Sequence, residues 1–162
     1  MLEVSTIYTG TIKKMSATIP KTKSIIGKEY ASEVLNAIES ALVSVDILMF
    51  EWRWYDNDMG NPIQLINQAI VRAVRRGVKV RALTWKMDIC KKLQSVGVEA
   101  MAWPLKKLMH SKIIVIDGFA VIMGSHNLTS SAIHTNIETS VILYDREIAK
   151  IKIDYINNLW LS

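Results

Sequence analysis

The chain has 162 residues, 50% of them hydrophobic and 22% charged, which supplies one core of ordinary size and excludes an extended disordered chain. Twenty Lys+Arg against fifteen Asp+Glu leave a net charge of +5. That excess suits an anionic partner, a nucleic acid or an acidic membrane surface, or else serves only solubility.

No apolar run approaches the roughly 20 residues that span a bilayer. Met1-Leu2-Glu3-Val4-Ser5 lacks the basic and then apolar pattern of a signal peptide, so a cytoplasmic location is expected. Residues 1–24 carry Thr, Ser, Lys and Pro20 with little periodicity, and read as an arm or edge segment ahead of a single domain over 25–162. From Gly27 to Leu42 the positions Tyr30, Val34, Leu35, Ile38 and Ala41 recur at helical spacing. Val45–Phe50 reads as a buried strand. Residues 56–62 form a loop whose Pro62 suits the first turn of a helix that runs to Arg76 and stops at Gly77.

Val78–Leu83 is a strand by alternation, residues 87–96 a helix ended by Gly97, and Val98–Ala102 a short strand. The lone cysteine, Cys90, excludes an internal disulfide and reads as a small core residue. Strand and helix thus alternate twice, which argues an α/β fold with helices on the faces of the sheet. The last third differs, with a hairpin around Asp117-Gly118, a strand at Thr139–Leu143 and a helix over Arg146–Leu159. The central sheet is therefore expected to be mixed, with helices on both faces. No internal repeat is present.

Asp-Gly between two β-rich runs is a strong signal for a two-residue hairpin loop, because both central residues need positive φ. That loop pairs Ile116 with Phe119, Lys112 with Met123 and His110 with Ser125. His110, Lys112, Ser125 and Asn127 then share one face at the open end of the hairpin. An imidazole, a cation, a hydroxyl and an amide at one place outline a site that processes an anion. In an arbitrary hairpin the same residues would more often mark an exposed strand end and a turn.

The run His110-x-Lys112-x4-Asp117-x6-Gly124-Ser125-x-Asn127 resembles the signature of the phospholipase D superfamily, in particular its nucleases with one motif per chain. Leu128-Thr129 and Asn136-x-Glu138 also resemble the segment downstream of the motif in that family, and the likeness extends over roughly residues 27–160. In that family a histidine attacks phosphorus, and water or an alcohol resolves the phosphohistidine. The resemblance implies His110 as nucleophile, with Glu138 against its other ring nitrogen. Lys112 and Asn127 would hold the nonbridging oxygens, with Ser125 in support. Asp117, at the turn, reads as structural, and Gly124 as a point of close backbone approach or a bulge.

A leaving group needs a general acid, which family enzymes take from a second copy of the motif. Neither His126 nor His134 is followed two residues later by Lys, so the resemblance implies a homodimer with one shared site. No cofactor is expected, and no metal, since no ligand pair shows the short spacings of zinc sites. His126 should point to the opposite face, into the core or behind the site. His134 is a candidate site contact or a surface residue.

Trp52 and Trp54 follow a parallel-type strand, where ligand crevices form. They read equally as a platform for the bases of a single strand or as packing beneath the 56–62 loop or in a dimer contact. Arg72, Arg75 and Arg76 complement a helix end. Lys106 and Lys107, just ahead of His110, are the better candidates for a phosphate backbone. The expected function is a metal-independent phosphodiesterase, an endonuclease on DNA or RNA. A phospholipase or phosphatidyl transferase and a catalytically silent nucleic-acid-binding module are the other readings.

Overall fold

Runs rich in Ile and Val alternate with amphipathic stretches, and each folds according to its period. The computed structural model describes residues 21–104 and 106–161. Its strands are β1 (Lys21–Ile26), β2 (Ser44–Met49), β3 (Lys79–Thr84), β4 (Glu99–Ala102), β5 (Lys112–Ile116), β6 (Ala120–Gly124) and β7 (Thr139–Tyr144). Its helices are α1 (Glu29–Ser40), α2 (Pro62–Arg75), α3 (Met87–Ser95), α4 (Ser130–His134) and α5 (Arg146–Trp160).

The seven strands make one sheet in the order β1-β7-β6-β5-β2-β3-β4. β2, β3 and β4 run parallel, linked through α2 and α3. β5 joins β2 antiparallel, and β6, β7 and β1 continue antiparallel. The sheet is mixed, as the change of pattern in the last third requires. Residues 1–20 of the expected arm lie outside the described residues. Residues 21–24 open β1, the edge strand against β7.

Alternation along the strands divides the core in two. Val45, Ile47, Ile114 and Ile122 meet α1, α2 and α3 through Val34, Ile38, Ile66, Ile70 and Leu93. Leu48, Leu83, Val115 and Val121 meet α5 through Ala149 and Ile156. Fully burying one such Ile or Leu stabilises the fold by about 1.5–3 kcal/mol. Asn61 caps α2 by accepting the Ile63 N–H at 3.0 Å, with Pro62 following as the first helical residue. α5 is tied down by Arg81, whose Nε donates to Asp46 at 2.6 Å and whose Nη1 donates to Asn157 at 3.0 Å. Cys90 is buried, and burial pushes its thiol up, away from a reactive thiolate. Among the described residues no helix is long and apolar enough to cross a membrane.

Candidate active site

Asp117 (φ 52°) and Gly118 (φ 58°) turn the β5–β6 hairpin, and Phe119 N–H closes it on the Ile116 carbonyl at 2.9 Å. The register nevertheless differs from that of a two-residue loop. Ile116 pairs with Ala120 and Ile113 with Met123, so Phe119 is an extra residue. Its carbonyl leaves the ladder to accept the Asp145 N–H ahead of α5 at 2.9 Å. A one-residue slip reverses which residues share a face, so alternation alone would separate Lys112 from Ser125 and Asn127.

They meet because the chain leaves β6 after Gly124. Residues 125–128 cross to the segment after β2, where Leu128 N–H donates to the Glu51 carbonyl at 3.0 Å and Arg53 N–H to the Leu128 carbonyl at 2.9 Å. His110, Lys112, Gly124, Ser125, Asn127 and Glu138 line one open cleft of about 480 Å³. The ends of β2 and β6 and the starts of β5 and β7 all lie at this edge of the sheet.

His110 is exposed, whereas Lys112 is 8% exposed. The Lys112 ammonium stands 3.2 Å from each His110 ring nitrogen and donates to the His110 carbonyl at 2.7 Å. Burial lowers the Lys112 pKa, partly offset by the carboxylates of Glu138 and Glu51. Asn127 Oδ1 accepts the Glu51 N–H at 3.1 Å, which leaves Nδ2 to donate into the cleft. Ser125 Oγ accepts the Thr139 N–H at 3.1 Å, and its one proton serves either the Thr139 carbonyl at 3.3 Å or the Glu138 carboxylate.

Glu138 departs from expectation. Its carboxylate accepts from Asn136 Nδ2 at 3.0 Å and from Ser125, while the His110 ring meets Lys112 and Phe50 instead. Burial pushes the Glu138 carboxyl up, but the bonds from Ser125 and Asn136 and the charge of Lys112 outweigh it and hold it below the usual range.

Three further motif-region residues are structural. The Asp117 carboxylate accepts N–H bonds from Leu42 at 3.0 Å, Val43 at 2.8 Å and Ser44 at 2.9 Å, fastening the hairpin turn to the start of β2. At Gly124 a Cβ would collide with Ser140 Oγ, Ser140 Cα and the Thr139 carbonyl, so glycine permits a close approach of β7. His126 is wholly buried and stacks on Tyr30 at 4.3 Å, with Nδ1 2.9 Å from Ser140 Oγ and Nε2 2.9 Å from the Gly27 carbonyl.

Other candidates fall elsewhere. Trp52 is 2% exposed, bonded through Nε1 to Asn67 Oδ1 at 2.8 Å, and presents no face for a base. Of the two readings the sequence left open, packing and a base platform, Trp52 packs, turned inward by its bridge to Leu128. Trp54 is half-buried in a separate cleft beside Arg53 and Lys92, with the Lys92 ammonium 5.4 Å above its ring. Arg72 and Arg76 pair with Glu39 of α1. His134 is exposed at the end of α4 and does not line the cleft. Lys106 and Lys107 are exposed on the loop that leads to His110. Among the described residues no group of three His, Cys, Asp or Glu could hold a metal ion. Phe50, the last residue of the strand read over Val45–Phe50, contacts both His110 and Lys112.

Residues 34–160 match the family model described as cardiolipin synthase, PLD-like domain, and the chain belongs to this phospholipase D family. It is 36% identical over 104 residues to a phospholipase D of Rickettsia felis, covering 60% of this chain and 50% of that one. It is 26% identical over 140 residues to the human mitochondrial cardiolipin hydrolase, covering 83% of this chain and 52% of the relative. The chain therefore spans about half the length of these relatives. Among solved structures, Nuc from Salmonella typhimurium, a phospholipase D family member, superimposes with a TM-score of 0.73 at 21% identity, over 86% of this chain and 95% of that one. That likeness establishes the fold.

Proposed function

We propose that this chain is a phosphodiesterase acting through a phosphohistidine, with two copies sharing one site and a nucleic acid as substrate. The observation that carries the reading is the convergence of His110, Lys112, Ser125, Asn127 and Glu138 on one cleft, from separate stretches of chain. A ring nitrogen of His110 forms a bond to phosphorus as the P–O bond to the leaving group breaks. The leaving oxygen takes a proton from His110 of the partner subunit, because a nucleophile cannot be its own acid in the same step. Water then gives that base its proton, its oxygen bonds to phosphorus, and the N–P bond breaks. Lys112 and Asn127 Nδ2 carry the charge that builds on the nonbridging oxygens, and Ser125 fixes the loop between them. Glu138 offsets part of the positive charge of Lys112. Asp117 and Gly124 hold the hairpin and β7 in place.

The net charge of +5 and the exposed Lys106 and Lys107 ahead of His110 support a polyanionic substrate. A phospholipid is the second reading. Leu108 is 55% exposed two residues before His110 and Ile137 is fully exposed next to Glu138 in the chain, apolar side chains of the kind a lipid would contact. The names of the Rickettsia and human relatives point the same way. Incubation with labelled DNA, RNA and phospholipid vesicles in parallel, all in excess EDTA, separates these readings. Cleavage of nucleic acid in chelator is the expected result. Cleavage of lipid alone would select the second reading, and activity that is lost in EDTA and restored by magnesium would contradict the phosphohistidine route.

A further inference from the structure

Phe50 ends the β2 run at the point where the cleft begins. Its N–H donates to the Ser111 carbonyl at 3.0 Å, between His110 and Lys112 in the chain, which fixes it against both. Its ring centroid lies 4.7 Å from that of His110, tilted by 54°, and the Lys112 ammonium stands 5.1 Å from its centroid. Trp85 backs the same ring at 6.0 Å. The phosphate-holding cation and the attacking imidazole therefore share one aromatic neighbour.

We propose that Phe50 is a positioning residue for the phosphodiesterase reaction, its π face holding the Lys112 ammonium in its charged form and setting the His110 ring beside it. The inference rests on the phosphate-holding role given to Lys112 above. An aromatic face carries negative partial charge and attracts a cation, the more so where water is excluded. Lys112 needs this support, because its ammonium is buried and pressed against an imidazole that becomes cationic when its nitrogen bonds to phosphorus. The charged or titratable groups facing it are His110 on its own segment, Glu138 ahead of β7 and Glu51 after β2. Neither carboxylate forms an ion pair with it within 4.0 Å among the described residues. The ring of Phe50, 5.1 Å from the ammonium, is thus an uncharged group that favours the charged state. It also limits the tilt of the imidazole, and small errors of alignment are costly in a displacement reaction.

The test is the pH profile of kcat/KM on bis(p-nitrophenyl) phosphate for wild type, Phe50→Leu and Phe50→Trp, with folding followed by circular dichroism. In Phe50→Leu the alkaline limb should move down by about one pH unit, because removing the cation–π attraction favours the neutral amine. At pH 7 kcat should fall about tenfold with KM changed less, because alignment suffers while the phosphate is still held. Phe50→Trp keeps an aromatic face and should hold the limb at or above its wild-type position. An unmoved limb in Phe50→Leu would overturn the proposal, as would a limb in Phe50→Trp that drops like that of the leucine variant. If Phe50→Leu fails to fold, Phe50→Trp decides alone. A Lys112→Met variant with wild-type activity would remove the role of Lys112 itself, which is a separate failure.

Discussion

His126 sits between Ser125 and Asn127 yet faces away from the cleft, stacked on Tyr30 and joined to Ser140 and to the Gly27 carbonyl. A neutral ring with its proton on Nε2 satisfies both partners, donating to Gly27 and accepting from the Ser140 hydroxyl. Burial lowers its pKa, against smaller raising effects from Gly27 and Glu138. The folded value therefore lies below that of the unfolded chain. The resulting stability is present above about pH 6.5 and is lost as pH falls through the folded value. Thermal melts between pH 7.5 and 5 should show a decline in Tm that is flatter in His126→Gln; equal slopes would contradict this. At Asp117 burial raises the pKa, but three backbone N–H donors outweigh it and hold it below the usual carboxylate range. Its contribution is accordingly present at neutral pH and lost in acid. Asp117→Asn tolerates the positive φ but weakens those bonds, and should cost about 1–3 kcal/mol in denaturant melts at pH 7, narrowing towards low pH.

At the scale of elements, Gly124 is where β6 and β7 close on each other. Gly124→Ala forces a Cβ into backbone atoms of β7, which no rotamer change relieves. It should destabilise by about 1–3 kcal/mol or more and reduce activity, since Ser125 and Glu138 flank the displaced strands. An alanine variant with wild-type melting and turnover would show that β7 can move aside freely. Most elements were legible because their periods are unmixed, as in the α2 stripe of Ile63, Ile66 and Ile70. What escaped depends on partners distant in sequence. The hairpin register slips because the Phe119 carbonyl is taken by Asp145, 26 residues further along. Which of its two readings Trp52 takes is decided by its bridge to Leu128, and α4 escaped because five residues carry too little periodicity, although Thr129 caps it by accepting the Ala132 N–H. The cluster of His110, Lys112, Ser125 and Asn127 was legible from motif spacing, but the strand alternation expected to bring them together does not operate beyond Gly124.

Across the whole molecule, the parallel half of the sheet supplies Phe50 and Glu51, and the antiparallel half supplies His110, Lys112 and Gly124, so the cleft sits where the two meet. If a polyanion approaches over Lys106 and Lys107, affinity for DNA should fall steeply with salt. Lys106→Ala with Lys107→Ala should flatten the slope of log K against log salt by about one for each phosphate no longer neutralised. An unchanged slope would favour a small diester or a lipid. One chain supplies one motif histidine, while attack and protonation need two. The proposed mechanism uses a single site shared by two copies, and a dimer of one wild-type chain and one tagged His110→Ala chain tests it most directly. Such a dimer should retain attack on an activated diester whose leaving group needs no proton, and accumulate a phosphorylated wild-type chain. On nucleic acid it should be nearly inactive, down by about a hundredfold or more. Half the wild-type rate on nucleic acid would show two independent sites and contradict the shared one.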